Sequence, residues 1–188
     1  MHKGLIAAAL AGMVLFSGVA ASAPDAEPAV GVDLRAANWP ADVVRLVADY
    51  RSRYPRSPSA ADVATIGERA ARAQKAVESK DVNLSRSAFV DAAKVEDLRR
   101  DAEAALLADV KAAERLAKAY GTGKGVTADA ARHLEWLQYA AALDSASANY
   151  ELSRHYRQQA QMPLAAKYQA RAVELGFVLP RELDNERK

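Results

Sequence analysis

The fold is decided by residues 109–142, DVKAAERLAKAYGTGKGVTADAARHLEWLQYAAA. Four positions of this stretch recur 36 residues further along: Ala112, Leu116, Ala117 and Tyr120 recur as Ala148, Leu152, Ser153 and Tyr156. The spacings within each set place its members on one face of a helix. A second helical stretch follows each set and carries Trp136 in the first case and Tyr168 in the second. A repeat of this period predicts stacked helical hairpins, which usually serve as binding scaffolds.

The composition of the chain favours helix. Alanine, leucine, glutamate and arginine are abundant, and long runs of alternating apolar and polar residues are missing, so we expect little sheet. The formal charge of +2 argues against general nucleic-acid binding, which needs a clustered basic surface. The chain has no cysteine, which excludes disulfides and thiolate metal sites.

The N-terminal residues 1–23 predict a secretory signal peptide. Lys3 belongs to a short basic start, Leu5–Phe16 is apolar, and small residues follow. The alternative is an uncleaved anchor, but the apolar stretch is short for a bilayer span. We therefore expect a periplasmic or secreted protein with no membrane insertion after cleavage. Residues 24–38, rich in proline, alanine and acidic side chains, predict a flexible arm.

The remaining chain divides into three parts. Residues 39–108 predict an N-terminal helical region, either a cap or degenerate repeats, whose first helix is expected to be capped by Asn38. A break is expected near Lys94. Residues 109–177 hold the two repeat units, and residues 178–188 form a charged tail.

Local signals mark the boundaries inside the repeats. Asp109 is expected to cap the first helix of the first unit, and Asp144 or Ser145 to start the second unit. Residues 121–126 predict a tight glycine-rich loop between the helices of the first unit. Gly176 is placed to take the left-handed conformation that closes the last helix.

The first unit resembles the Sel-one-like repeat, a relative of the tetratricopeptide repeat. The matching positions are Ala112, Leu116-Ala117, Tyr120, Gly123-Lys124-Gly125-Val126, Asp129, Trp136 and Ala140-Ala141. The second unit matches at Ala148, Leu152, Tyr156, Ala172 and Leu175-Gly176. It departs from the pattern in its loop, where Arg157–Met162 is four residues shorter than the glycine-rich segment.

This resemblance covers Asp109–Phe177, less than half of the chain that would remain after signal cleavage. It implies an all-α fold, a short α-solenoid of antiparallel helical hairpins with an N-terminal helical cap. It also implies a secreted bacterial protein of this type. The family comprises many unrelated binders, so the resemblance says little about the partner.

No pattern in the chain predicts a catalytic site, a metal or a cofactor. The loop at residues 121–125 fails as a phosphate-binding loop, because Lys118 stands where glycine is needed and Gly125 where serine or threonine is needed. His133 and His155 lie on different predicted hairpins, which does not favour a shared metal site. The serines lie outside any Gly-x-Ser-x-Gly turn. We therefore expect a protein that is not an enzyme.

A polar stripe along the first helices of the two units is the candidate partner-binding site. Its members are Lys111, Glu114, Lys118, Ser147, Tyr150, Arg154 and Arg157. In the resembling families this stripe lines the concave side of the solenoid. The stripe is mostly basic and is expected to expose one tyrosine, and arginine and tyrosine are common interface anchors. A protein or peptide with an acidic face is the predicted partner.

The sequence predicts a non-catalytic protein-binding scaffold that presents a concave helical surface. One role is an adaptor in envelope assembly or export. A second is a periplasmic immunity protein, an antidote that blocks a toxic effector, and a toxin gene nearby would distinguish it. The chain could also be a cell-wall-acting enzyme with an unrecognised site, or a subunit that self-associates through the end of its helical stack.

Overall fold

Eight α-helices and no strand make up the part of the chain that the computed structural model describes, residues 37–180. The all-α prediction is confirmed over these residues. The helices are α1 Pro40–Arg53, α2 Ala60–Val77, α3 Arg86–Lys94, α4 Glu96–Ala105, α5 Val110–Thr122, α6 Ala130–Ala142, α7 Ala146–Gln158 and α8 Met162–Glu174. None of the described helices is long and apolar enough to cross a bilayer. The predicted signal peptide, most of the predicted arm and residues 181–188 of the predicted tail lie outside the described residues.

Each helix packs mainly against its neighbours in the sequence. The most extensive contacts join α7 to α8, α5 to α6 and α1 to α2, and further contacts join α3 to α4, α4 to α5 and α6 to α7. A smaller contact brings α2 against α6. The N-terminal helices therefore meet the repeat region at two places, α4 against α5 and α2 against α6.

Three side chains cap the helices of the repeat region. Asp109 Oδ1 accepts a hydrogen bond of 2.8 Å from the backbone N–H of Ala112 at the start of α5. Asp129 caps α6 in the same way, and Ser145 Oγ accepts from the N–H of Ala148 at 3.0 Å in α7. These bonds satisfy amide groups that have no partner inside the helix. The predicted boundary at Asp109 is confirmed, and of the two alternatives for the start of the second unit, Ser145 is the residue that caps α7.

The prediction that Asn38 caps α1 was wrong. Trp39 holds the N-cap position, and its side chain makes no capping bond. The Asn38 amide oxygen instead accepts a hydrogen bond from the Arg86 guanidinium at the start of α3. A charged donor from another helix thus takes the acceptor that a local cap would have used. The predicted break near Lys94 is confirmed, because Val95 is extended between α3 and α4.

Of the eight residues at the positions that recur 36 residues apart, seven are buried, and the eighth, Tyr156, is half-buried. The buried members are Ala112, Leu116, Ala117, Tyr120, Ala148, Leu152 and Ser153. The Tyr156 ring stacks on the Tyr168 ring with centroids 5.4 Å apart. The predicted helix faces are therefore the faces that pack.

An aromatic cluster joins α3 to α6 and to the start of α1. Trp136 is fully buried, and its ring packs edge-on against Phe89 at 4.9 Å and Tyr139 at 5.9 Å between centroids. Phe89 also meets the Trp39 ring at 5.6 Å. The Tyr139 hydroxyl donates a 2.6 Å hydrogen bond to the carbonyl of Ala105. These rings connect the N-terminal helices to the repeat region.

Two glycines end helices in the left-handed conformation. Gly123 follows α5 with φ of +73°, and Gly176 follows α8 with φ of +88°. A side chain at these angles strains the backbone, which explains glycine at both positions. The prediction for Gly176 is confirmed.

Replacing Phe89 by alanine should lower the free energy of unfolding by about 3–5 kcal/mol, because a buried ring that contacts three others is lost. Urea unfolding followed by circular dichroism measures the change. Val178→Ala is the control, since Val178 is 87% exposed and its truncation should change stability by less than about 0.5 kcal/mol. A loss below about 1 kcal/mol for Phe89→Ala would contradict the role of the cluster.

Candidate functional site

A cleft of about 500 Å³ opens between α5, α6 and α7, and we call it the α5–α7 cleft. Its apolar lining consists of Ala117, Leu137 and Ala148 together with the backbone of Gly121. Its polar lining consists of Glu114, Lys118, Thr122, His133, Ser147 and Glu151. Side chains from both predicted repeat units therefore line a single cavity.

The structure brings part of the predicted polar stripe to this cleft. Glu114, Lys118 and Ser147 line it together. Lys111 lies beside them, with its Nζ 2.8 Å from Glu114 Oε2. Arg154 is exposed on α7 and forms no ion pair within residues 37–180.

Two members of the polar stripe face α8 and the segment after it instead. The expectation that Tyr150 is exposed was wrong, because its half-buried ring stacks on Phe177 with centroids 4.4 Å apart. The turn at Gly176 returns the chain so that Phe177 reaches α7. Arg157 donates a hydrogen bond to the Gln169 side chain on α8. Neither residue is among those that line the α5–α7 cleft.

Glu114 joins α5 to the start of α7. Its Oε1 accepts hydrogen bonds of 2.6 Å from Ser145 and 2.7 Å from Ser147, and its Oε2 accepts from Lys111. A carboxylate at the N-terminus of a helix is further stabilised by the positive end of the helix dipole. Partial burial raises the pKa of Glu114, but the bonds from Lys111, Ser145 and Ser147 outweigh it, so the pKa lies below its ordinary value. The carboxylate is therefore ionised and already bonded within the protein.

A hydrogen bond to the backbone determines which ring nitrogen of His133, a residue that lines the cleft, carries the proton. Its Nδ1 lies 2.8 Å from the carbonyl oxygen of Ala117, and a carbonyl only accepts, so Nδ1 carries the proton. In the neutral ring Nε2 is then an acceptor, and it makes no hydrogen bond within residues 37–180. Gly121 makes room for the ring, since a Cβ there would lie 2.8 Å from Nδ1.

Sequence reasoning missed three polar residues of the cleft, Thr122, His133 and Glu151. Glu151 follows Ser147 by four residues and so lies on the same face of α7, a signal that was available in the helical spacing. His133 carried no such signal, because its partner Ala117 lies on another helix. With Glu151 present, the cleft carries both signs of charge rather than the mostly basic character expected.

Two other clefts have much of their charge paired within the protein. In the cleft of about 400 Å³ beside α8, Lys167 pairs with Asp81 and Arg171 with Asp144, each at 2.7 Å. In the cleft of about 620 Å³ between α4 and α5, the Arg115 guanidinium holds Asp101 at 2.6 Å, whereas the other charged side chains, Lys118 among them, form no ion pair within residues 37–180. The α5–α7 cleft differs in that its unpaired groups, Lys118, His133 Nε2 and Glu151, lie on three helices.

No group of three or more histidine, cysteine, aspartate or glutamate side chains is placed to hold a metal ion in the described part of the chain. Comparison with known proteins finds no matching family model, no matching curated protein and no matching solved structure. Functional inference for this chain therefore depends on its sequence pattern and on the geometry of its surface.

Replacing Gly121 by alanine should displace the His133 ring and lower the free energy of unfolding by about 0.5–1.5 kcal/mol, because the bond to Ala117 is lost. In a His133→Ala background the same change should become neutral or stabilising by up to about 1 kcal/mol, because alanine favours helix over glycine. Chemical denaturation of the four proteins gives this double-mutant cycle. Equal effects in both backgrounds would show that the two residues are not coupled.

Replacing Glu114 by glutamine should lower the free energy of unfolding at pH 7 by roughly 1–3 kcal/mol, because charge-assisted bonds are lost. The folded-state pKa of Glu114 lies below its ordinary value of 4.5, so its ionisation stabilises the fold above that pH. The difference between wild type and variant should shrink as the pH falls below 4.5. Unfolding curves between pH 3 and 8 measure it.

Glu68→Gln is the matched control for the glutamate experiment. Glu68 is exposed on α2 and forms no ion pair within residues 37–180, so its neutralisation should change stability by less than about 0.5 kcal/mol throughout. A difference for Glu114→Gln that is the same at pH 3 and pH 7 would count against the inferred ionisation.

Proposed function

We propose that the protein is a non-catalytic scaffold of Sel-one-like helical hairpins that binds another protein or peptide in the periplasm or outside the cell. The observation that carries this proposal is the α5–α7 cleft, which both predicted units line and which holds unpaired polar groups. A surface formed jointly by stacked repeats is the usual binding surface of helical repeat proteins.

The dimensions of the helices support the solenoid interpretation. Each of α5, α6, α7 and α8 has 13 residues, as expected for repeated units. The N-terminal helices are unequal, with 14, 18, 9 and 10 residues in α1 to α4. We therefore propose that α1 to α4 form a cap on the first unit rather than degenerate repeats.

The proposed partner has an acidic face, and two cations lie where that face would meet the scaffold. Lys118 on α5 and Arg154 on α7 are exposed and lie outside the ion pairs of residues 37–180. Arg154 follows Glu151 by three residues, so it continues the cleft-lining face of α7 by one turn. Complementary charge would orient the partner and speed its association. Binding of this kind suits an adaptor in envelope assembly or export.

The double variant Lys118→Glu, Arg154→Glu should weaken binding of the partner by about tenfold or more, or about 1.4 kcal/mol, because attraction becomes repulsion. A tagged chain expressed with its own leader is used to capture partners from envelope extract. Mass spectrometry identifies the captured protein, and calorimetry with the purified pair measures the affinity of wild type and variant.

Arg51→Glu, Arg53→Glu is the control for this experiment. It makes the same change in net charge at two exposed residues at the end of α1. The control should bind like the wild type, and all three proteins should melt at similar temperatures. If both double variants weaken binding equally, the effect is one of net charge, and the assignment of the binding surface fails.

A further inference from the structure

The α5–α7 cleft carries one unpaired cation and one unpaired anion on different helices. Lys118 lines it from α5 and also borders the cleft between α4 and α5, and Glu151 lines it from α7. Neither takes part in an ion pair or side-chain hydrogen bond within residues 37–180. Both charges are therefore available to a bound molecule.

The other charges at the cleft are already committed. Glu114 accepts three hydrogen bonds, from Ser145, Ser147 and Lys111. Lys111 and Glu114 neutralise each other at 2.8 Å. A ligand that enters the cleft thus meets the remaining pair, Lys118 and Glu151, without competing for Glu114.

The third group available to a ligand is His133, whose Nε2 atom can accept a hydrogen bond. The bond from Nδ1 to the Ala117 carbonyl holds the ring and leaves Nε2 as an acceptor. Glu151 and His133 both line the cleft, so each offers an acceptor to a molecule bound there. Ammonium and guanidinium groups carry several donors and suit two acceptors at once.

The apolar lining suits the stem of a long basic side chain. Ala117, Leu137 and Ala148 offer small apolar surfaces in the same cleft. Lysine and arginine bury their methylene stems along such surfaces while the charged head reaches polar groups. A volume of about 500 Å³ is within the range of pockets that bind small ligands.

We infer that the α5–α7 cleft binds a peptide segment that carries a basic and an acidic side chain close together. The basic head binds Glu151 and His133 Nε2, and the acidic side chain binds Lys118. The inference rests on the proposed function and specifies the chemistry of the partner. A chain segment is favoured over a free amino acid because Arg154 extends the polar surface of α7 beyond the cleft.

Four blocked dipeptides test the charge pattern: acetyl-Lys-Glu-amide, acetyl-Lys-Gln-amide, acetyl-Gln-Glu-amide and acetyl-Gln-Gln-amide. Each is titrated into the full secreted chain, and the Gly121 amide and His133 ring signals are followed by NMR. The Lys-Glu peptide should bind with a millimolar dissociation constant. Each singly neutral peptide should bind about fivefold or more weakly, since each lacks one charge contact.

Two variants assign the charges to their partners. Glu151→Gln should remove the preference for lysine over glutamine and leave the preference for glutamate intact. Lys118→Gln should do the reverse, and Glu68→Gln, on exposed α2 surface, should change neither preference. This crossed pattern is a double-mutant cycle between protein and ligand.

Three results would overturn the inference. The first is equal affinity for all four peptides, and the second is a titration in which the NMR signals of Gly121 and His133 do not shift. The third is tighter binding of free lysine than of the Lys-Glu peptide. The last result would assign the cleft to small zwitterions. Loss of partner capture in Lys118→Glu, Arg154→Glu without any peptide preference would keep the proposed function and reject this inference. Peptide preference without any captured protein would reject the proposed function alone.

Discussion

The contact between Glu114 and the first turn of α7 is the constraint on which the cleft depends. One carboxylate oxygen accepts from two serine hydroxyls at 2.6 and 2.7 Å, and Ser145 also caps α7. The bond therefore positions α7 against α5 and stabilises the end of α7 at the same time. Because Ser147 and Glu151 follow on the same helix face, this contact also determines which α7 side chains reach the cleft.

A second constraint joins the repeat region to the N-terminal helices. Phe89, Trp136 and Tyr139 meet edge-on, the arrangement that aromatic quadrupoles favour. Trp136 Nε1 is the only buried side-chain polar atom in residues 37–180 without a hydrogen-bond partner. Leaving such a donor unpaired costs about 1–3 kcal/mol, so the indole is retained for its volume and ring contacts. The helix α6, which lines the α5–α7 cleft, is therefore closely packed against α3.

The surface that results is suited to recognition. A basic stripe would attract any acidic partner, whereas a cleft with a cation, a carboxylate and an oriented imidazole would discriminate between partners by the positions of their charges. Glu114 and Gly121, which position the surrounding groups, both belong to α5.

The sequence by itself determined that the chain is helical, that Asp109 caps α5 and that the second unit starts at Asp144 or Ser145, because periodicity and capping act over three or four residues. It also determined which of the repeated positions are buried. Only the tertiary structure decided which polar faces meet. His133 bonds to a residue 16 positions earlier, Ser147 to one 33 positions earlier, and Tyr150 stacks on Phe177. Contacts at such separations depend on how helices pack, and helical spacing alone carries no information about that packing.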